Sequence, residues 1–71
     1  MEVGQRIQAL RTRNGLSQEA LADRLGVTRQ SVSKWELGQS LPDTEKIVQL
    51  SRLFGVGIDW LLLNEVPMFA G

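Results

Sequence analysis

SQEALADRLGVTRQSVSKWELG, residues 17–38, is the stretch on which the fold turns. Leu21 and Leu25 stand four apart, Val32 and Trp35 three apart, so each side of Gly26-Val27-Thr28 carries the apolar spacing of one helix face. Glycine tolerates the left-handed backbone that ends a helix, and threonine is a good residue to start one. Two short helices therefore meet at a tight connection, which forces them to pack at a steep angle. Ala22, midway along the first, lets another helix come close, while Leu21, Leu25, Val27, Val32 and Trp35 are placed to face a shared core. The remaining face of the second helix is Arg29, Gln30, Ser33 and Lys34, with Ser31 and Leu37 at its margins. One buried seam opposite a face of Arg, Gln, Ser and Lys suits a head that reads the major groove of duplex DNA.

The same punctuation recurs on either side. Gly15, Gly26, Gly38 and Gly55 each follow a stretch with helical apolar spacing, and Leu16, Val27 and Val56 stand just beyond three of them, where an apolar residue packs back on the last turn. Ser17, Thr28 and Asp43 precede the periodic stretches as caps, with Gly57 as a weaker fifth start. Val3, Ile7 and Leu10 give one apolar stripe, and Ile47, Leu50, Leu53 and Phe54 another. Alternation of the strand kind is missing, and Asn14-Gly15 has helical rather than β-branched flanks. The pattern predicts an all-α, five-helix bundle, with helices at about 2–13, 18–25, 29–36, 44–54 and 58–63. Residues 1–64 form one domain and 65–71 a short C-terminal tail.

Composition narrows the function. The 71 residues hold no Cys and no His, which removes thiolate and imidazole metal ligands, disulfides and the usual nucleophile–base pairs. The carboxylates Glu19, Asp23, Asp43 and Glu45 have the look of surface or first-turn charges, with Asp43 a cap, and no pair among them has a supporting base. No enzyme, metal or cofactor is expected. The longest apolar run at the C-terminal end, Trp60–Leu63, is too short to cross a membrane, and the first residues lack the apolar core of a signal peptide, so the expectation is a soluble, cytoplasmic protein. Net charge is zero, yet residues 1–40 carry six basic against four acidic side chains and residues 41–71 two against four. That polarity places an anionic partner at the N-terminal half.

Taken together, Gly-Leu-Ser-Gln-Glu-Ala-Leu-Ala at 15–22, Leu-Gly-Val-Thr-Arg-Gln-Ser-Val-Ser-Lys-Trp-Glu at 25–36, Gly38, Pro42 and Leu-Phe-Gly-Val-Gly-Ile-Asp-Trp-Leu-Leu at 53–62 resemble the phage repressor and Cro type of helix-turn-helix, the XRE family. The resemblance covers about residues 3–63. It implies a lambda-repressor-like DNA-binding domain, with 18–25 as the supporting helix and 29–36 as the recognition helix. It also implies that Gln18 holds the DNA backbone, and that Arg11, late in the first helix, pairs with Glu36, late in the recognition helix, to brace the reading head. Two departures stand out. Leu37 occupies a place that is often polar or basic, and Gln39-Ser40-Leu41 replaces a frequently basic loop, so fewer phosphate contacts and a modest monomer affinity are expected.

Individual roles follow from side-chain chemistry. The Gln30 amide can pair with adenine N6 and N7, and Arg29 can grip guanine or a phosphate. Lys34 shares the Gln30 face, and Ser33 is small enough for close approach. Ser17 and Gln18 open a helix whose N-terminal N–H groups suit a phosphate. Thr28 is first a cap and second a phosphate contact, while Gln39 and Ser40 complete the backbone-positioning set. Arg13 and Arg24 fit either backbone contact or plain exposed charge. Trp35, three after Val32, reads as core. Trp60, Leu61, Leu63, Val66 and Phe69 exceed what one helix can bury, which predicts a homodimer seam or a docking face for a C-terminal domain outside this chain, with simple back-packing on the small core as the remaining alternative. The expected activity is sequence-specific binding of a near-palindromic operator by a dimeric repressor. The rival from another class is a protein-interaction module such as an antitoxin, which the short stretch beyond Asn64 disfavours.

Overall fold

Each helix begins and ends on a short-range signal. In the computed structural model, which describes residues 2–62, α1 spans Val3–Arg13, α2 Gln18–Leu25, α3 Arg29–Glu36, α4 Thr44–Phe54 and α5 Ile58–Leu61. Ser17, Thr28 and Asp43 accept the backbone N–H groups of Ala20, Ser31 and Lys46 at 3.0, 3.2 and 2.9 Å. Glu2 stands just outside α1, its N–H bonded to the Gln5 side-chain oxygen at 2.9 Å. At the other ends, Gly26 and Gly55 sit at φ 71° and 67°, and the N–H groups of Val27 and Val56 return to the carbonyls of Ala22 and Ser51. Leu16, Val27 and Val56 then fold back against the core, as their spacing predicts.

These ends set where the helices go. α3 packs on both α1 and α2, α4 on α2 and α5, and α5 returns to α1. Ile7, Leu21, Val32 and Leu50 meet at the centre with essentially no exposure, and Trp35 closes the seam beneath α3. Ala22, 2% exposed, marks a close helix approach, as its size suggests. Among the described residues the architecture is all-α: five short helices with a helix-turn-helix at α2–α3.

One finding differs from the sequence reading. Leu61 was expected at a dimer or partner contact, but it is fully buried in the chain's own core. The turn of α5 points Leu61 inward while its neighbour Trp60 stays 40% exposed, so Leu61 is a core residue and not part of a seam. Leu63, Val66 and Phe69, expected at the same contact, lie outside the described residues, as does the 65–71 tail. Arg6, to which the sequence assigned no role, is a charged residue only 5% exposed. Its guanidinium lies 5.3 Å from the centre of the Trp60 ring, a cation–π contact that ties α5 to α1. Among the described residues its buried Nη1 has no hydrogen-bond partner.

Candidate nucleic-acid interface

Successive residues of a helix turn by about 100°, so Arg29, Ser33, Gln30 and Lys34 share one arc of about 140° on α3. Val32 and Trp35 lie on the opposite side and are buried, which leaves that arc outward. Arg29, Gln30 and Lys34 are exposed and Ser33 is half-buried. The result is a narrow strip with a guanidinium, an ammonium, an amide and a hydroxyl, on a helix narrow enough for a major groove. Thr28 ends this strip. Its hydroxyl already accepts the Ser31 N–H and shares a hydrogen bond of 3.1 Å with the Ser31 hydroxyl, so capping is its established role.

The strip is held from behind by a three-helix node. Arg11 Nε donates to Glu36 Oε2 at 2.6 Å, and its Nη2 to Oε1 at 3.1 Å. Its third nitrogen donates to the Leu16 carbonyl at 2.9 Å. The side chains are 12% and 4% exposed, so the fork works largely out of water, where a bidentate charge-assisted pair fixes direction as well as distance. The bond to Glu36 raises the Arg11 pKa above its already high ordinary value. Gln18 joins the node, its Nε2 donating to Glu36 Oε1 at 3.0 Å. One amide hydrogen of Gln18 is thus engaged with Glu36. The sequence placed Gln18 only at a backbone contact; its link to Glu36 depends on α2 and α3 lying side by side.

A second anchor was not legible in advance. Lys46 Nζ donates to the Leu25 carbonyl at 2.9 Å, placing a cation on the last turn of α2. A lysine in the first turn of α4 opposes the dipole of its own helix, and that mismatch is the one sequence signal for a task elsewhere. Beyond α3, the N–H groups of Gly38 and Gln39 bond back to the Trp35 and Lys34 carbonyls. The side chains of Gln39 and Ser40, both exposed, are therefore what this loop can offer to an anion, and they are flanked by exposed Leu37 and Leu41. Ser17 is exposed with its hydroxyl engaged in the cap.

Arg29, Gln30 and Lys34 thus lie together on one outward face, with Ser17 and Gln18 opening a separate helix. Trp60 and Leu61, by contrast, diverge. No helix among the described residues is long and apolar enough to cross a membrane.

A helix-turn-helix family model matches residues 7–61. The SPbeta prophage-derived uncharacterized HTH-type transcriptional regulator YonR of Bacillus subtilis is 44% identical over 66 residues, covering 93% of this chain and 61% of that protein. The HTH-type transcriptional activator BcrR of Enterococcus faecalis is 45% identical over 65 residues, 92% of this chain and 32% of BcrR. Among solved structures, the P22 c2 repressor in complex with synthetic operator 9T superposes with a TM-score of 0.81 at 31% identity, covering 86% of this chain and 92% of that one. The chain spans 61% and 32% of the lengths of the two relatives, so it corresponds to part of each.

Proposed function

This chain belongs to the helix-turn-helix family, and from that premise we propose that it is a sequence-specific, double-stranded-DNA-binding regulator of transcription. The carrying observation is the outward strip of α3, with Val32 and Trp35 buried behind it and Glu36 locked to Arg11 and Gln18. An amide and a guanidinium on a rigid helix are the groups that discriminate adenine and guanine in the major groove. Gln30, Arg29, Ser33 and Lys34 read bases, while Ser17, Gln18, Thr28, Gln39 and Ser40 position phosphates. The chemistry is recognition alone, without catalysis or a cofactor. The protein acts where DNA is accessible, in the cytoplasm.

The P22 c2 repressor in complex with operator DNA supports this reading. A bound protein that occludes a promoter needs no contact beyond those to DNA, which makes repression the simplest outcome. The active form is a homodimer on a near-palindromic operator, since one module of this size presents few basic side chains and specific affinity usually needs a second. Exposed Trp60, which offers apolar surface on α5, supports that seam. Selection of bound sequences from a random duplex pool, at one stated salt, tests the function. Enrichment of a motif with two related half-sites about one helical turn apart is expected. A pool that stays random after repeated rounds overturns the reading.

A further inference from the structure

The first turn of α1 abuts the last turn of α3. Gly4 is buried there, and a Cβ at this position would lie 2.1 Å from the Trp35 carbonyl oxygen and 2.9 Å from that of Glu36. Both are backbone atoms. The Trp35 carbonyl is further held by the N–H of Gly38 at 3.1 Å, so it cannot swing aside as a side-chain tip would. Since carbon and carbonyl oxygen pack at about 3.3 Å or more, any ordinary side chain at position 4 moves α3 and α1 apart by about an ångström. Glycine is otherwise a poor choice inside a helix, which makes its presence here informative.

The displaced turn carries the functional strip. Trp35 and Glu36 directly follow Ser33 and Lys34, and Glu36 is also the acceptor for Arg11 and Gln18. The side-chain node fixes α3 sideways, and the contact at Gly4 fixes how closely its backbone seats on α1. We propose that Gly4 is a positioning residue for base reading: the missing Cβ sets the seat of α3, and with it the aim of Gln30, Ser33 and Lys34 relative to the phosphate contacts at the start of α2. This inference rests on the DNA-binding reading above.

The 71-residue chain is short enough for total synthesis, which allows L-Ala and D-Ala to be compared at position 4. L-Ala places its methyl against the Trp35 carbonyl, whereas the D-Ala methyl takes the place of the other α-hydrogen and leaves that contact as it is with glycine. Helix propensity alone ranks L-Ala above glycine and D-Ala below it, so the two causes predict opposite orders. Two readouts are taken: backbone amide NMR shifts over residues 29–37 of the free protein, and the ratio of affinity for the selected operator to that for random duplex. With L-Ala the shifts move along α3 and the ratio falls by about tenfold or more, the size of one misread base pair, while random-duplex binding stays nearly constant. D-Ala keeps both readouts native. Unmoved shifts, an unchanged ratio, a D-Ala loss equal to that of L-Ala, or an L-Ala chain that does not fold each overturn the proposal. A native chain without operator preference overturns the DNA reading instead, and the shifts then still report whether Gly4 seats α3.

Discussion

Gln30 and Arg29 are exposed on the outer arc of α3 and lie outside the hydrogen-bond node that braces the helix, so replacing them tests recognition with little effect on folding. Gln30→Ala and Arg29→Ala are each expected to weaken operator binding by about 1–3 kcal/mol and to relax preference at particular base pairs. Competition titrations against operators altered at single positions check this. Equal losses on operator and random duplex would make both residues backbone contacts. Arg11 acts differently because its partners are protein groups. Removing either side of a largely buried bidentate pair strands the other, so Arg11→Ala and Glu36→Ala each destabilise, and together by less than their sum. A double-mutant cycle in urea should show coupling of about 1–3 kcal/mol, and strict additivity would refute a cooperative node. The Arg11 pKa is raised, so the folded state holds this proton more tightly than the unfolded chain. That stabilisation is fully present below the ordinary arginine value and is lost only above it, so titration of Arg11 leaves stability unchanged near neutrality.

At the scale of elements, the helix-turn-helix is held by contacts from outside it. Lys46 reaches from the first turn of α4 to the Leu25 carbonyl, satisfying an end of α2 that its own helix leaves open. Lys46→Met keeps the aliphatic stem and removes the charge, and it is expected to cost about 1–2 kcal/mol of stability. Hydrogen exchange should show the loss most at Gly26 and Val27, whose N–H groups close the end of α2. Uniform loss of protection across all five helices would mean that Lys46 contributes only to global stability. Packed on α1 and α4, α5 is a single turn held by Leu61 in the core and by Trp60 over Arg6. A helix this short has little stability of its own, so its place depends on those two side chains.

For the molecule as a whole, charge and apolar surface are distributed unevenly. The net positive N-terminal half carries α2 and α3, and the net negative remainder carries α4 and α5. Binding should therefore weaken with salt, by a slope set by the few phosphates that each chain neutralises, because those phosphates release counterions. Trp60 is exposed on α5, which packs on α1 and α4, and this suits a seam built on α5 and not on the α3 strip. Sedimentation of the protein with a selected operator should give two chains per duplex. A strict one-to-one complex of the native chain on a non-repeated site would rule out the dimer.

Much of this was legible in the residues themselves. Ser17, Thr28 and Asp43 as caps, Gly26 and Gly55 as stops, and the seam of Leu21, Leu25, Val32 and Trp35 all follow from neighbours a few positions apart. Capping and amphipathic periodicity act within a turn or two of helix, so they survive without knowledge of the rest of the chain. The Arg11–Glu36 pair came from family resemblance, because nothing local connects residues 25 apart. Only the packed structure could decide that Gly4 abuts the Trp35 carbonyl, that Gln18 and Lys46 donate across 18 and 21 residues, and that Leu61 turns inward while Trp60 turns out. Each of those depends on the distance and angle at which two helices meet. That geometry is set by how all the side chains of the core fill one shared space, and no short window of sequence contains it.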